Sequence, residues 1–345
     1  MFVASSVRNM SGRCKEIGSE FWFGDSPKPV SERDGCYVLS GRTAIDLIVQ
    51  DILKYRKICN VYMPAWCCSS MMAPFICRGV RVDLYDVGFD GRLRYYVDEG
   101  KEADIFYVAN YFGFDNTIGP DIVRRFIRKG AVVIYDRTHS FLMDEDIGPH
   151  YSFASIRKWM GVMCGAVVDG VSDVALGQCP YLSVKERAMR MKRAFMEGDD
   201  SICKKDFLDL YGDFGRLLTE DYRDYAMDDV SYGIYKAANI RTMKGRRREN
   251  AMFLDEHLEF PCLGPVGEKD VPLFFPVFFE SIEKREAARE KLIANGIYCP
   301  IHWPKNPVVT PEMEVNRIFD TELSLVCDQR YGVAEMQRII DILIQ

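Results

Sequence analysis

The stretch Tyr151–Val168, YSFASIRKWMGVMCGAVV, decides how the rest of the chain is read. One lysine, Lys158, stands in it, and no charged residue follows as far as Val168. Ser152 and Ser155 precede the lysine, Gly161 and Gly165 follow at turn-like spacing, and Ala166-Val167-Val168 reads as a short buried strand. A lysine ammonium is costly to bury, so it either stays in water or takes a depressed pKa. A depressed lysine is a nucleophile toward carbonyl carbons. Read alone, Arg157-Lys158 is equally an ordinary basic pair at a strand edge. The surrounding chain decides between the two.

A chain of 345 residues has room for one large and one smaller domain. Its 48% hydrophobic and 28% charged content is that of a soluble globular protein. A net charge of −6 gives no footprint for nucleic acid. The one strong basic run, Lys244 to Arg248, is broken by Gly245 and leads into an amphipathic helix, so it reads as a solvated helix face. The 12 cysteines contain no CxxC pair and no His/Cys grouping at zinc spacing, so neither a disulfide framework nor a metal site is expected. Reduced thiols, the lack of a signal-like N-terminus and the lack of a bilayer-length apolar run together predict a cytoplasmic protein with no membrane partner.

Outward from the lysine, strands and helices alternate. Residues 1–34 read as an irregular arm that docks through Phe21-Trp22-Phe23, with a large domain over 35–238 and a small C-terminal domain over 239–345. Cys36–Leu39 is extended, and Ser40-Gly41-Arg42-Thr43 opens an amphipathic helix. Its free backbone N–H groups and hydroxyls can hold an anion, although plain capping by Ser40 or Thr43 needs no ligand. Strands are expected at 61–63, 81–85, 105–109 and 131–135, with helices at 65–77 and 122–129 between them. This pattern predicts an α/β fold with a mostly parallel central sheet flanked by helices. Ligands in such sheets sit beyond the carboxyl ends of strands, which singles out Asn110, Asp136 and His139. Asp136 also fits a turn or cap residue, and His139 a satisfied half-buried histidine.

The order of the segments is itself informative: SGRTAI, MPAWCCSS, a strand ending Asn-Tyr-Phe-Gly, YDRTH, SFASIRKW closing on a glycine, AANIRTM, NGIYCPIHWP and SLVCDQRYG. This series resembles the DegT/DnrJ family of pyridoxal-phosphate (PLP) aminotransferases, of the aspartate-aminotransferase fold (fold type I), from about Glu16 onward. The resemblance implies PLP as cofactor and Lys158 as its Schiff-base lysine. It implies Asp136 opposite the pyridine nitrogen and His139 near the ring's phenolic oxygen. Gly41, Arg42 and Thr43 would form the phosphate turn, completed by Ser155 or else Ser152. Asn239, with Arg241 in the same motif, would reach across a homodimer interface to the neighbour's phosphate. The chain departs from the family in several places. Arg42 replaces a threonine, Asn110 replaces a histidine, one extra residue lies between Ser152 and Lys158, and the polar stretch after the lysine is apolar. The ring-stacking position falls on Cys68, with Trp66 two residues earlier, which leaves both as candidates for covering the ring.

Transamination is the function the resemblance implies, from an amino donor such as glutamate to a keto acceptor such as a nucleotide-linked keto-sugar. A PLP-dependent lyase or dehydratase of the same fold is the alternative, although sugar dehydratases of this family carry histidine where Lys158 stands. A non-catalytic homologue is another. Ser155-Ile156-Arg157-Lys158 also fits the S-x-x-K pattern of acyl-serine hydrolases, but the S-x-N and K-T-G that this chemistry requires do not follow.

Overall fold

A computed structural model describes residues 16–24, 29–172 and 174–344. Of the arm expected over 1–34, residues 1–15 and 25–28 therefore lie outside the described residues. The chain begins with β1 (Ile17–Gly18) and β2 (Cys36–Val38), followed by α1 (Gly41–Leu53), β3 (Asn60–Pro64) and α2 (Ser69–Cys77). Next come β4 (Arg81–Phe89), β5 (Leu93–Tyr96), β6 (Ile105–Ala109), α3 (Pro120–Arg128), β7 (Val132–Asp136), β8 (Tyr151–Ser155) and β9 (Ala166–Asp169). One eight-stranded sheet takes the order β2-β9-β8-β7-β6-β3-β4-β5. Four of its seven pairings are parallel, running from β8 through β7, β6 and β3 to β4. The mostly parallel α/β sheet expected from the sequence is therefore present.

The apolar runs explain the centre of the sheet. In β3, β6 and β7 every residue is buried, as parallel strands covered on both faces require. The sheet differs from expectation at two strands. The β4–β5 hairpin turns at Asp90-Gly91, where Gly91 takes φ +89°. The segment before Lys158 is itself a strand, β8, parallel to β7 and buried throughout. Helix α2 starts at Ser69 rather than Ala65, because Ala65–Cys68 forms a turn after Pro64.

Four helices follow: α4 (Leu182–Glu197), α5 (Lys204–Glu220), α6 (Asp229–Ala237) and α7 (Ile240–His257). The C-terminal part holds β10 (Phe275–Phe278), α8 (Ile282–Ala294), β11 (Ile297–Tyr298), α9 (Val315–Thr321), β12 (Glu322–Leu325) and α10 (Val333–Leu343). Strands β10 and β12 pair antiparallel, and β11 pairs with β1 from the arm. The aromatic knot packs on Arg330, whose guanidinium lies 4.0 Å from the Phe21 ring and 4.9 Å from Trp22. No helix among the described residues is long and apolar enough to cross a membrane.

Candidate active site

Strands β6, β7 and β8 end at the same edge of the sheet, and the pairings Ala109–Asp136 and Asp136–Phe153 bring their carboxyl ends side by side. A cavity of about 130 Å³ opens there, lined by Gly41, Arg42, Cys68, Asn110, Asp136, His139, Ser155 and Lys158, with Trp303 entering from the C-terminal part. Most of the residues singled out from the sequence thus converge on one cavity.

At its centre, Lys158 Nζ lies 3.0 Å from His139 Nε2. The His139 Nδ1 accepts the Phe112 backbone N–H at 3.3 Å, which places the ring proton on Nε2. That N–H therefore points at the Nζ lone pair, an arrangement that needs Lys158 uncharged. Burial acts the same way on both groups. It lowers the Lys158 pKa, opposed by Cys68 and Asp136, and it holds His139 well below the usual histidine range, helped by Lys158 and His302. Both effects favour the uncharged amine, the form that acts as nucleophile and base.

Asp136 lines the same cavity. Its Oδ1 accepts the Thr138 N–H at 2.8 Å and its Oδ2 accepts the Tyr107 hydroxyl at 2.8 Å. Burial nevertheless raises its pKa, since two hydrogen bonds only partly offset the loss of water. A cation facing Asp136 would favour its charged form.

The cavity also carries cationic side chains. Arg42 and Arg157 both line the cavity, and the Nε atom of each is buried without a partner. The first turn of α1 opens beside them. Orphaned buried donors, a helix N-terminus, a buried carboxyl group and a lysine whose charge burial disfavours, all lining one cavity, fit a phosphorylated pyridine such as PLP.

Several expected roles are corrected. Thr43, expected to offer its backbone amide to the phosphate, does not line the cavity: its N–H donates to Ser40 Oγ at 3.2 Å and its hydroxyl to the Tyr222 carbonyl at 2.7 Å. Ser40 is spent as the α1 cap, accepting the Thr43 N–H at 3.2 Å. Ser152 lies on the opposite face of β8 from Ser155, as residues three apart on a strand must, and donates to Asp169 at 2.8 Å. Of the two, Ser155 is the one that lines the cavity. Trp66 is core: it stacks on Tyr111 with centroids 4.4 Å apart and donates Nε1–H to the His302 carbonyl at 2.6 Å. Cys68 lines the cavity instead, together with the rings of Tyr111, Phe153 and Trp303, the last 5.5 Å from Lys158 Nζ.

Asn110 lines the cavity, but its amide is engaged by the Phe114 carbonyl, Thr117 and Glu145, and its Oδ1 accepts the Gly113 N–H. Its work is to shape the Asn-Tyr-Phe-Gly turn. Gly113 has φ +76° there, and a Cβ would lie 2.1 Å from the Val271 carbonyl oxygen. Asn239 caps α7, accepting the Thr242 N–H at 3.0 Å, and both Asn239 and Arg241 are exposed and do not line the cavity of their own chain. Sequence reasoning missed Thr138, Tyr107, Arg157, His302 and Trp303. Only the two prolines bracketing Ile-His-Trp signalled a constrained loop. Among the described residues no group of His, Cys, Asp and Glu could hold a metal ion.

No family model and no curated protein matches the sequence. Solved structures do match. Spr1654 from Streptococcus pneumoniae, assigned as a sugar aminotransferase and solved in its PLP-form, is 13% identical with a TM-score of 0.62 over 89% of this chain and 85% of its own. A DegT DnrJ EryC1 StrS aminotransferase from Brucella abortus is 14% identical, with a TM-score of 0.60 over 90% of this chain and 84% of its own. DesI, solved in the presence of its TDP-sugar product, is 15% identical with a TM-score of 0.61 over 90% of this chain and 80% of its own. The chain has the fold of these sugar aminotransferases.

Proposed function

We propose that this protein is a PLP-dependent aminotransferase that moves an amino group from an amino acid, with glutamate as donor, to a nucleotide-linked keto-sugar. The observation that carries the reading is that one cavity is lined by the hydrogen-bonded Lys158–His139 pair, the Asp136 carboxyl group and the two arginines Arg42 and Arg157. The likeness to DesI supports the acceptor class. When bound, PLP supplies the electron sink for removing a proton from the carbon that bears the amine.

The chain's own residues do the rest. With PLP bound, Gly41, Arg42, Ser155 and Arg157 would hold its phosphate and the Asp136 carboxylate would accept the ring nitrogen's N–H. Lys158 Nζ would be the base that takes and returns the proton, with the Nε2–H of His139 keeping its lone pair aimed. Trp303 closes the cavity from the C-terminal part and excludes water. The same reading divides the chain into the arm, a large domain over 35–238 and a small domain over 239–345, and places the protein in the cytoplasm.

The test is the visible spectrum of the purified protein. A yellow band that bleaches on adding glutamate is the expected result. A colourless protein that cannot be reconstituted with PLP would remove the enzyme reading.

We also infer a homodimer with shared sites, because Asn239 and Arg241 stand exposed at the start of α7 with no role in their own cavity. Mixing inactive Lys158→Ala and Asn239→Ala chains at equal ratio should recover about a quarter of the wild-type sites, since half the dimers are mixed and each holds one intact site. No recovery in verified mixed dimers argues against sharing.

A further inference from the structure

A second cavity, of about 480 Å³, shares Arg157 and Lys158 with the first and is also lined by Lys204, Arg247, Arg330 and His302. His302 is held there on three sides. Its backbone N–H donates to Glu322 Oε2 at 2.7 Å, its carbonyl accepts the Trp66 indole N–H at 2.6 Å, and its Nδ1 lies 2.8 Å from Ser324 Oγ. Ser324 in turn is hydrogen-bonded to Glu322 Oε1. Glu322 and Ser324 are neighbours on one face of β12, two residues apart, and the Ser324 N–H fixes the loop by donating to the Pro300 carbonyl at 3.0 Å. With those atoms engaged, Nε2 is the one polar atom His302 has left for the cavity.

The polarity of Nε2 follows from the chain of hydrogen bonds. When Glu322 is protonated, it donates to Ser324, Ser324 donates to Nδ1, and the His302 proton sits on Nε2. When Glu322 is ionised, each bond reverses and Nε2 becomes a bare acceptor. The imidazole stays neutral in both cases.

We propose that His302, set by the Glu322–Ser324 relay, is a specificity-determining residue that donates Nε2–H to a carboxylate oxygen of the amino donor in the second cavity. The cavity wall favours that ligand: beside His302 and Lys158 it carries Arg157, Lys204, Arg247, Arg289 and Arg330 against two lining carboxylates, Glu20 and Asp328, with Glu16 and Glu286 paired to Lys204 and Arg289. The identity of the ligand rests on the transaminase reading, whereas the tautomer of His302 does not.

Burial raises the Glu322 carboxyl to about 8, against Ser324, the His302 N–H and Arg285, so the donor form holds at neutral pH. Cys299 and Arg285 are the other titratable or charged groups that act on Glu322, and Lys158 and His139 lie against His302.

The chain has 4 histidines, so ¹⁵N-histidine NMR of the whole protein resolves the tautomer directly. The expected result is an Nε2–H His302 at pH 7 that passes to Nδ1–H above pH about 8 without gaining charge, and stays Nε2–H at all pH in Glu322→Gln. His302→Leu should raise the glutamate KM about 10- to 100-fold, with kcat changed less than about threefold and with partial recovery in His302→Gln. Wild-type KM should rise above pH about 8, and Glu322→Gln should stay flat. An Nδ1–H tautomer at pH 7, or an unchanged glutamate KM in His302→Leu, overturns the proposal. If the wild type shows no half-reaction, the transaminase reading fails by itself. Titration with glutamate then decides the rest: a shifted His302 Nε2 resonance supports carboxylate binding, and an unmoved one overturns it.

Discussion

Lys158→Ala is expected to slow amino transfer from glutamate by about 10⁴-fold or more, the upper range for removing a positioned general base. The protein should still fold and still bind PLP through the arginines of the cavity. The expectation rests on the protonation state built into the site. His139 aims an N–H at Nζ from 3.0 Å, an arrangement that a charged ammonium would break. Lys158→Arg separates charge from proton transfer: it keeps a cation in place, but a guanidinium does not release its proton, so it should be as inactive as alanine. In the wild type, kcat/KM should rise with pH through a lysine pKa lying below its ordinary value of 10.5, because burial lowers it and the working form is the uncharged amine. Single-turnover absorbance with glutamate measures all three proteins. A Lys158→Ala rate within tenfold of wild type would sink the role assigned to Lys158.

The parts of this site that were legible in the sequence are those that local rules govern. Asp136 and Asn110 follow apolar runs that could only be central parallel strands, so their position at the carboxyl edge could be derived. The Ser-Gly-Arg-Thr turn announced a helix start, but the same four residues could not reveal that Ser40 and Thr43 would spend their hydroxyls on the cap and on Tyr222. The choice between Ser152 and Ser155 turns on strand parity, and it stayed open because β8 was not recognised ahead of the lysine. Trp66 stands as near to Cys68 in sequence as a stacking residue would. Its burial against Tyr111 depends on β6 lying beside β3, which no local pattern specifies. The Glu322–Ser324–His302 relay spans two segments about twenty residues apart that meet only because β12 docks on the Pro300 loop. Nothing in either segment alone points to the other.

Asp136→Asn should reduce the glutamate half-reaction by about 10²- to 10³-fold, the usual loss when one preorganised electrostatic partner of the reacting group is removed. The substitution isolates charge. Asparagine has the size of aspartate and can still accept the Thr138 N–H, while the Tyr107 hydroxyl can rotate to accept from the new amide. Asp136→Ala is the coarser experiment, because it also strands the buried Tyr107 hydroxyl and the Thr138 N–H, at about 1–3 kcal/mol each. Its activity loss therefore mixes cofactor electronics with packing. The pH dependence supplies an independent check. Burial raises the Asp136 pKa above its ordinary 3.8, and a protonated ring nitrogen opposite it would favour the carboxylate. PLP affinity should therefore fall as pH drops and Asp136 gains a proton. In Asp136→Asn the affinity should be lower and that pH dependence absent. An Asn variant that binds PLP and reacts with glutamate at the wild-type rate would show that Asp136 serves only the Tyr107–Thr138 scaffold, and the ring nitrogen would then need another partner within the cavity.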